Sequence, residues 1–254
     1  MRLDKYLAQQ GLADSRTRAA GMIEAGLVKV NGILQKKVSF DVPDGATVEI
    51  TGALLPFVSR GGLKLKGALD VFGLSPKGMV CADIGASTGG FTDCLLQEGA
   101  VKVYAIDSGR DQLHEKLRTD SRVVSMESFN ARSLTPAHLG EPIDLAVTDV
   151  SFISQTLLHE AIASVLKDGG LFVSLIKPQF EVGRENLGKG GIVKNPKVRR
   201  EAARRVMASA LSAGLSPIAI TESPIAGGDG NIEYLAYFRK QPISGLLPEV
   251  DHLP

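Results

Sequence analysis

A chain of 254 residues, 44% hydrophobic and 22% charged, has an ordinary globular composition and the length for one large domain, or a medium and a small one. No apolar run approaches the roughly 20 residues of a membrane helix, and Met1-Arg2-Leu3-Asp4-Lys5 does not lead into the apolar core of a secretory signal, so the expectation is a cytoplasmic protein with no membrane partner. The net charge of +1 hides an asymmetry: residues 1–40 carry seven Lys and Arg against three acids, while the remainder sums to −3. Such a basic segment is either a solvated face or a nucleic-acid surface.

In chain order, Leu3, Tyr6, Leu7 and Gln10 fall at helical spacing before Gly11. Asp14 and Ser15 offer an N-cap for a second helix with Ala19, Ala20, Met22 and Ile23 as its buried stripe, and Arg16 and Arg18 stand near its start. Leu27-Val28-Lys29-Val30 reads as a strand, Asn31-Gly32 as a hairpin turn, Ile33-Leu34 as the return and Thr47-Val48-Glu49-Ile50 as a last strand. Gly52 and Pro56 mark a linker. A helix follows with Leu65, Ala68, Leu69 and Phe72 on its apolar face, and Arg60 and Lys64 one turn apart on another.

From residue 79 the pattern alternates strand and helix, which predicts an α/β fold: a parallel sheet with helices on both faces. Strands are expected at 79–84, 101–106, 122–126, 143–148 and 170–177, with helices near 90–98, 110–118 and 155–167. A helix at 196–213 and strands near 217–221 and 232–239 complete the domain. Cys81 and Cys94 lack CxxC spacing and read as small buried hydrophobes, and the four histidines show no ligand spacing, so no metal is expected. The domain organisation expected is 1–52, a linker at 53–60, a larger α/β domain at 61–240 and a tail at 241–254.

The central stretch is Val80-Cys81-Ala82-Asp83-Ile84-Gly85-Ala86-Ser87-Thr88-Gly89-Gly90-Phe91, a buried strand ending in a glycine-rich turn that opens a helix. Ligands of open α/β sheets bind at such strand ends. A dinucleotide would want G-x-G-x-x-G, whereas this turn offers Gly85-x-x-x-Gly89-Gly90 with an acid, Asp83, where a phosphate would be repelled. Asp107 ends the second strand 22 residues after Gly85, suitably placed for a ribose diol. A ligand with a ribose and a cationic centre but no phosphate fits better, and S-adenosylmethionine is one. Asp149 and Lys177 follow the fourth and fifth strands, Glu233 begins the last, and with Lys64 they form a Lys-Asp-Lys-Glu set on one edge.

These stretches carry two resemblances. Arg2-Leu3-Asp4-Lys5-Tyr6-Leu7, Ser15-Arg16-Thr17-Arg18-Ala19-Ala20 and Gly26-Leu27-Val28-Lys29-Val30-Asn31-Gly32 resemble the αL-type RNA-binding domain of a small-subunit ribosomal protein, pseudouridine synthases and tyrosyl-tRNA synthetases. Ser59-Arg60-Gly61-Gly62-Leu63-Lys64-Leu65, residues 83–92, Asp149-Val150-Ser151-Phe152-Ile153-Ser154, Lys177-Pro178-Gln179-Phe180-Glu181 and Gly230-Asn231-Ile232-Glu233-Tyr234 are similar to FtsJ-type ribose 2′-O-methyltransferases. Together they resemble the TlyA (hemolysin A) family of ribosomal RNA methyltransferases.

The resemblance implies a Rossmann-like class I methyltransferase sheet behind a small α+β RNA-binding domain, and a catalytic tetrad of Lys64, Asp149, Lys177 and Glu233. It implies S-adenosylmethionine against Asp83, Gly85, Ser87, Gly89, Gly90, Phe91, Asp107, Asn130, Ala131 and Asp149. It further implies ribosomal RNA, within ribosomal subunits, as partner and a cytidine 2′-hydroxyl as acceptor, with Arg2, Lys5, Arg16, Arg18, Lys29 and Arg60 on the RNA. Lys177 is the expected base. Burial and a second cation favour its neutral amine while Asp149 favours the ammonium, a balance the sequence leaves open.

Two features stay open at this point: the basic run Lys194, Lys197, Arg199, Arg200, Arg204 and Arg205 is an extension of the RNA track or a solvated helix face, and the glycine-rich loop 183–191 orders over RNA or is simply flexible. A membrane-active hemolysin and a non-catalytic RNA-binding protein with a Rossmann-like domain are the rival functions. The first lacks a spanning segment or a membrane-surface helix, and the second is opposed by the intact tetrad. The oligomeric state is not encoded in any of these motifs.

Overall fold

The computed structural model describes residues 1–13, 15–52, 55–227, 230–241 and 247–254, and the chain divides after Pro56 into two units. Asp14, one of the two expected cap residues, and positions 53 and 54 of the expected linker lie outside the described residues.

In the first unit, α1 (Leu3–Gln9) and α2 (Arg16–Glu24) bury Leu3, Leu7, Ala19, Met22 and Ile23 together. Ser15 caps α2, its Oγ accepting from the Arg18 amide at 3.1 Å. Three antiparallel strands complete the unit in the order β2-β1-β3: β1 (Val28–Val30), β2 (Ile33–Gln35) and β3 (Val48–Ile50). Asn31 and Gly32 have φ of +50° and +76°, the two left-handed positions that a tight hairpin turn demands.

The second unit runs α3 (Gly61–Phe72), β4 (Val80–Ile84), α4 (Gly90–Gln97), β5 (Lys102–Ile106), α5 (Glu115–Arg118), β6 (Val123–Met126), α6 (Pro136–Leu139) and β7 (Ile143–Thr148). It continues through α7 (His159–Val165), β8 (Leu166–Ile176), α8 (Pro178–Glu181), α9 (Pro196–Ser212), β9 (Leu215–Glu222) and β10 (Tyr234–Lys240). The sheet order is β6-β5-β4-β7-β8-β10-β9, parallel throughout except for β10, which is antiparallel to both neighbours. Strands buried on both sides carry apolar side chains at successive positions. Cys81, Val103, Leu145 and Val147 face α3 and α4, whereas Ala82, Tyr104 and Ala146 face α7 and α9. Both cysteines are buried thiols.

Three expectations need correction. Residues 110–114 are not helical, because Asp111 takes φ +53° and the Glu127 carboxylate accepts from the amides of Gln112 and Leu113 at 2.7 and 3.1 Å, supplying locally the acceptor a helix would have provided. The expected helix over 155–167 is a 3₁₀ turn at Gln155–Leu157 followed by α7, and β8 begins at Leu166. Most consequential is the C-terminal segment 247–254, which packs rather than trails: Val250 and Leu253 are buried in the α7–α9 core, and the main-chain oxygen of Pro254 accepts from Tyr234 Oη at 2.7 Å and Arg199 Nε at 3.2 Å.

Arg199 is therefore an internal strut. Its guanidinium also donates to the carbonyls of Val193 and Lys194 at 2.9 and 2.8 Å, and Arg204 pairs with Asp251 at 2.5 Å, so the run along α9 is not a continuous free basic face. Arg199→Ala leaves the buried Val193 carbonyl without its donor, while the Lys194 carbonyl stays open to water and Pro254 keeps Tyr234, and is expected to cost about 1–3 kcal/mol, read as a lower midpoint in urea unfolding at unchanged slope.

Candidate active site

The glycine turn sits where β4 emerges between β5 and β7. Gly85 has φ +86°, and a Cβ there would lie 2.9 Å from both the Asp149 carbonyl oxygen and Val150 Cγ1, so the backbone is pressed against the end of β7. Gly89, at φ +93°, caps α4 and lies against the Leu117 side chain, and Gly90 packs on Ser59 Oγ. Ser87 adopts φ +48°, held by its amide donating to Asp107 Oδ2 at 2.7 Å, while Asp107 Oδ1 accepts from the Gly109 amide at 2.7 Å. Each Asp107 oxygen keeps a lone pair for a ligand hydroxyl.

A cavity of about 600 Å³ opens on this turn, lined by Gly85, Ser87, Asp107, Asn130, Ala131, Asp149 and Phe152 among others. A second, of about 320 Å³, is lined by Arg60, Lys64, Gly85, Ser87, Phe91, Asp149 and Lys177. Gly85, Ser87, Asp149 and Ser151 belong to both walls, so the two cavities meet over the turn. Sizes of this order suit small ligands. S-adenosylmethionine fits the residues present: the Gly85 cradle has no room for a Cβ, and the larger cavity presents two carboxylates, Asp107 and, on the shared wall, Asp149, to a cationic ligand bearing a ribose.

Asp83 and Gly89 stand behind the walls, supporting them. The Asp83 side chain is fully buried, Oδ2 accepts from Thr92 Oγ1 at 2.7 Å, and Oδ1 has no hydrogen-bond partner among the described residues. Burial, reinforced by the charges of Asp149 and Asp107, pushes its carboxyl up to about 7 against the pull of the Thr92 hydroxyl.

Two lysine–carboxylate pairs occupy the smaller cavity. Lys64 on α3 is 9% exposed and its Nζ meets Glu233 Oε2 at 2.5 Å; Glu233, 2% exposed, stands immediately before β10. Gln179 Nε2 lies 3.4 Å from Glu233 Oε1, and Gly227 packs so close to that carboxylate that a Cβ would fall 2.6 Å from it. Lys177, at the end of β8, places Nζ 2.5 Å from Asp149 Oδ1 and 2.9 Å from Ser151 Oγ. Lys64, Asp149 and Lys177 face the cavity, and Glu233 backs Lys64.

Of the residues expected on RNA, Arg60 lines the smaller cavity at the start of α3. Arg2, Lys5, Arg16, Arg18 and Lys29 all lie in the first unit. There Arg2 and Arg16 converge on Asp4, at 3.0 and 2.6 Å, and hold its carboxyl well below the usual range, at about 2. Residues 183–191 form two 3₁₀ turns, Arg184–Asn186 and Lys189–Gly191, with Asn231 Nδ2 donating to the Gly191 carbonyl at 3.1 Å.

Phe152 received no role from the sequence. It is 88% exposed at φ +65°, on the rim of the larger cavity, with its ring 5.1 Å from that of Phe180. The sequence offered one signal: Phe152 lies in the loop directly after β7, on the edge of the sheet where ligands bind.

Residues 57–240 match the FtsJ-like methyltransferase family, and residues 1–48 the S4 domain. Hemolysin A of Brachyspira hyodysenteriae is 44% identical over 94% of this chain and 99% of its own. The 16S/23S rRNA (cytidine-2′-O)-methyltransferase TlyA of Mycobacterium tuberculosis is 42% identical over 94% of this chain and 90% of its own. A solved Streptococcus thermophilus structure, described as a candidate hemolysin, superposes with a TM-score of 0.74 at 45% identity, covering 99% of this chain and 91% of that one.

Gly85→Ala should abolish S-adenosylmethionine binding in calorimetry while the fold persists by circular dichroism. Asp83 also makes stability depend on pH with a definite sign. Its folded pKa of about 7 lies above its ordinary 3.8, so the folded state holds the extra proton and stability declines as pH rises from about 4 to 7, levelling above. Asp83→Asn should remove this decline, which urea titrations of both proteins at pH 5 and 8 would reveal.

Proposed function

Because the chain belongs to the FtsJ-like methyltransferase family, and through its relatives to the TlyA (hemolysin A) family, we propose that it methylates a cytidine ribose 2′-hydroxyl of ribosomal RNA, with S-adenosylmethionine as donor, in the cytoplasm. The hemolysin name borne by some relatives is a historical label. The observation that carries the reading is the meeting of two lysine–carboxylate pairs in a cavity that shares its wall with the glycine-cradled cleft.

When bound, S-adenosylmethionine supplies an electrophilic methyl group on a sulfonium. Gly85 and Ser87 would hold it through the backbone, Asp107 through its ribose hydroxyls, and Asn130 and Ala131 along the far wall of the cleft. Asp149, common to both cavities, stands where donor and acceptor meet. A 2′-hydroxyl is a poor nucleophile until its proton is taken or tightly hydrogen-bonded. In its amine form, having first released a proton to solvent, Lys177 Nζ takes the hydroxyl proton and becomes the ammonium that pairs with Asp149, its aim held by Asp149 Oδ1 and Ser151 Oγ. Lys64 Nζ, fixed by the buried Glu233, donates to the acceptor ribose and keeps a second positive charge beside the developing reaction centre.

The acceptor nucleotide has to leave any stack to bring its ribose into so small a cavity, and the exposed Phe152 ring offers its base a face. Arg60 at the mouth and the basic first unit supply phosphate contacts, which raise affinity without reading sequence.

Purified protein incubated with labelled S-adenosylmethionine and ribosomal subunits should label RNA at a 2′-oxygen, and nuclease mapping would locate the nucleotide. Lys177→Ala is expected to lower transfer at least about 100-fold with cofactor affinity within about threefold; strong residual methylation would remove Lys177 from the role. Phe152→Ala should weaken use of RNA by about 1–3 kcal/mol in kcat/KM and leave cofactor binding alone. RNA binding without any transfer would leave a non-catalytic binding protein as the better reading.

A further inference from the structure

Glu181 ends α8 and is 7% exposed, a costly place for a carboxylate with no part so far in the chemistry. Its two oxygens are spent on a single loop: Oε2 accepts from Ser154 Oγ at 2.6 Å, and Oε1 from the Gln155 amide at 2.9 Å. Burial lifts its carboxyl above the ordinary range, and these two hydrogen bonds pull the other way. Gln155, itself buried, donates Nε2 to the Leu175 carbonyl at 3.4 Å and accepts from Ser174 Oγ.

The loop thus fastened is 149–155, which carries Asp149, Ser151 and Phe152. The segment fastening it, 177–181, carries Lys177. Along their length the two touch at Lys177–Asp149, Lys177–Ser151 and Phe180–Phe152, and Glu181 is the buried foot of that seam. The loop has reason to need one. Phe152 at φ +65° stores about 1 kcal/mol or more of backbone strain, which surrounding contacts must hold in place.

We propose that Glu181 is a positioning residue for methyl transfer: by holding Ser154 and Gln155 it sets the approach of Asp149 Oδ1 to Lys177 Nζ, and so the aim of Lys177 into the acceptor cavity. The proposal rests on the reading of Lys177 as the group that handles the hydroxyl proton. Glu181 touches neither substrate nor cofactor in this account, so its removal acts on kcat and not on cofactor affinity.

The test compares the full-length wild type with Glu181→Ala, Glu181→Gln, Ser154→Ala and Lys177→Ala in the labelled-methyl assay on ribosomal subunits, with calorimetric titration of S-adenosylmethionine and a melting temperature for each. Glu181→Ala should lower kcat about 10–100-fold with cofactor Kd within about threefold. Glu181→Gln should stay within about threefold of wild type, since an amide accepts from the Gln155 amide through its oxygen and donates to Ser154 Oγ through its nitrogen. Ser154→Ala, at a half-buried position, should fall between them and, with its melting temperature measured alongside, decides the matter if Glu181→Ala does not fold.

A wild-type kcat in Glu181→Ala overturns the proposal. So does a loss that follows melting temperature and cofactor affinity downward together, or a Ser154→Ala at wild-type rate where Glu181→Ala is unfolded. Undiminished transfer by Lys177→Ala sinks instead the reading of Lys177, whereas loss in Lys177→Ala beside full activity in Glu181→Ala sinks only the positioning role.

Discussion

The structure depends on one constraint: β4 is paired in parallel with both β5 and β7, and β7 in turn with β8. Parallel pairing sends the C-terminal ends of four strands to the same edge. The glycine turn, Asp107, Asp149 and Lys177 each come just after the end of one of those strands, and Asp83 is the last residue but one of β4. The antiparallel β10 enters from the same edge, so Glu233, which precedes it, arrives there too. Of the two lysines and two carboxylates, Lys64 alone comes from elsewhere, on α3.

Gathering four charges in a partly closed cavity would be unfavourable if they were not compensated. The chain solves this pairwise. Lys64 and Glu233 form the more buried pair, and Lys177 and Asp149 the one nearer the shared wall. Beside each pair stands one neutral group: Gln179 on Glu233, Ser151 on Lys177. Asp83 is different, a carboxyl with Thr92 as its hydrogen-bonding neighbour, and its raised pKa follows from burial, with the nearby carboxylates Asp149 and Asp107 adding to it. Structure and chemistry are thus coupled through the same few carboxylates. Those near a lysine serve the cavity, and the one away from any lysine braces the turn beneath it.

Much of the fold was legible in the residues. Strand periodicity placed five parallel strands within a few residues of their observed limits, except at β8, because stretches buried on both faces must be apolar at successive positions. The turn at Asn31-Gly32 declared itself through backbone conformations that few residues adopt. What misled was local pattern without tertiary context. Residues 110–114 look helical until Glu127, distant in sequence, supplies their amides with an acceptor. The proline-containing C-terminal segment looks like a tail until Val250 and Leu253 find the α7–α9 core. The arginines of α9 look like a basic face until Arg199 is seen turned inward onto three carbonyls.

The sequence by itself determined the alternating βα architecture and the glycine turn with its acid at the end of the next strand, since each is written in spacing or residue type. The set of two lysines and two carboxylates came from strand ends together with the family resemblance. Only the tertiary structure decided which lysine faces which carboxylate, that Asp83 lies beneath the turn and not on its wall, that Phe152 stands out at the rim, and that Glu181 clamps two site-bearing loops together. The physical reason is the same in each case. Side-chain partners across 26 to 169 positions of chain are set by how strands register and helices pack, and no local period records that.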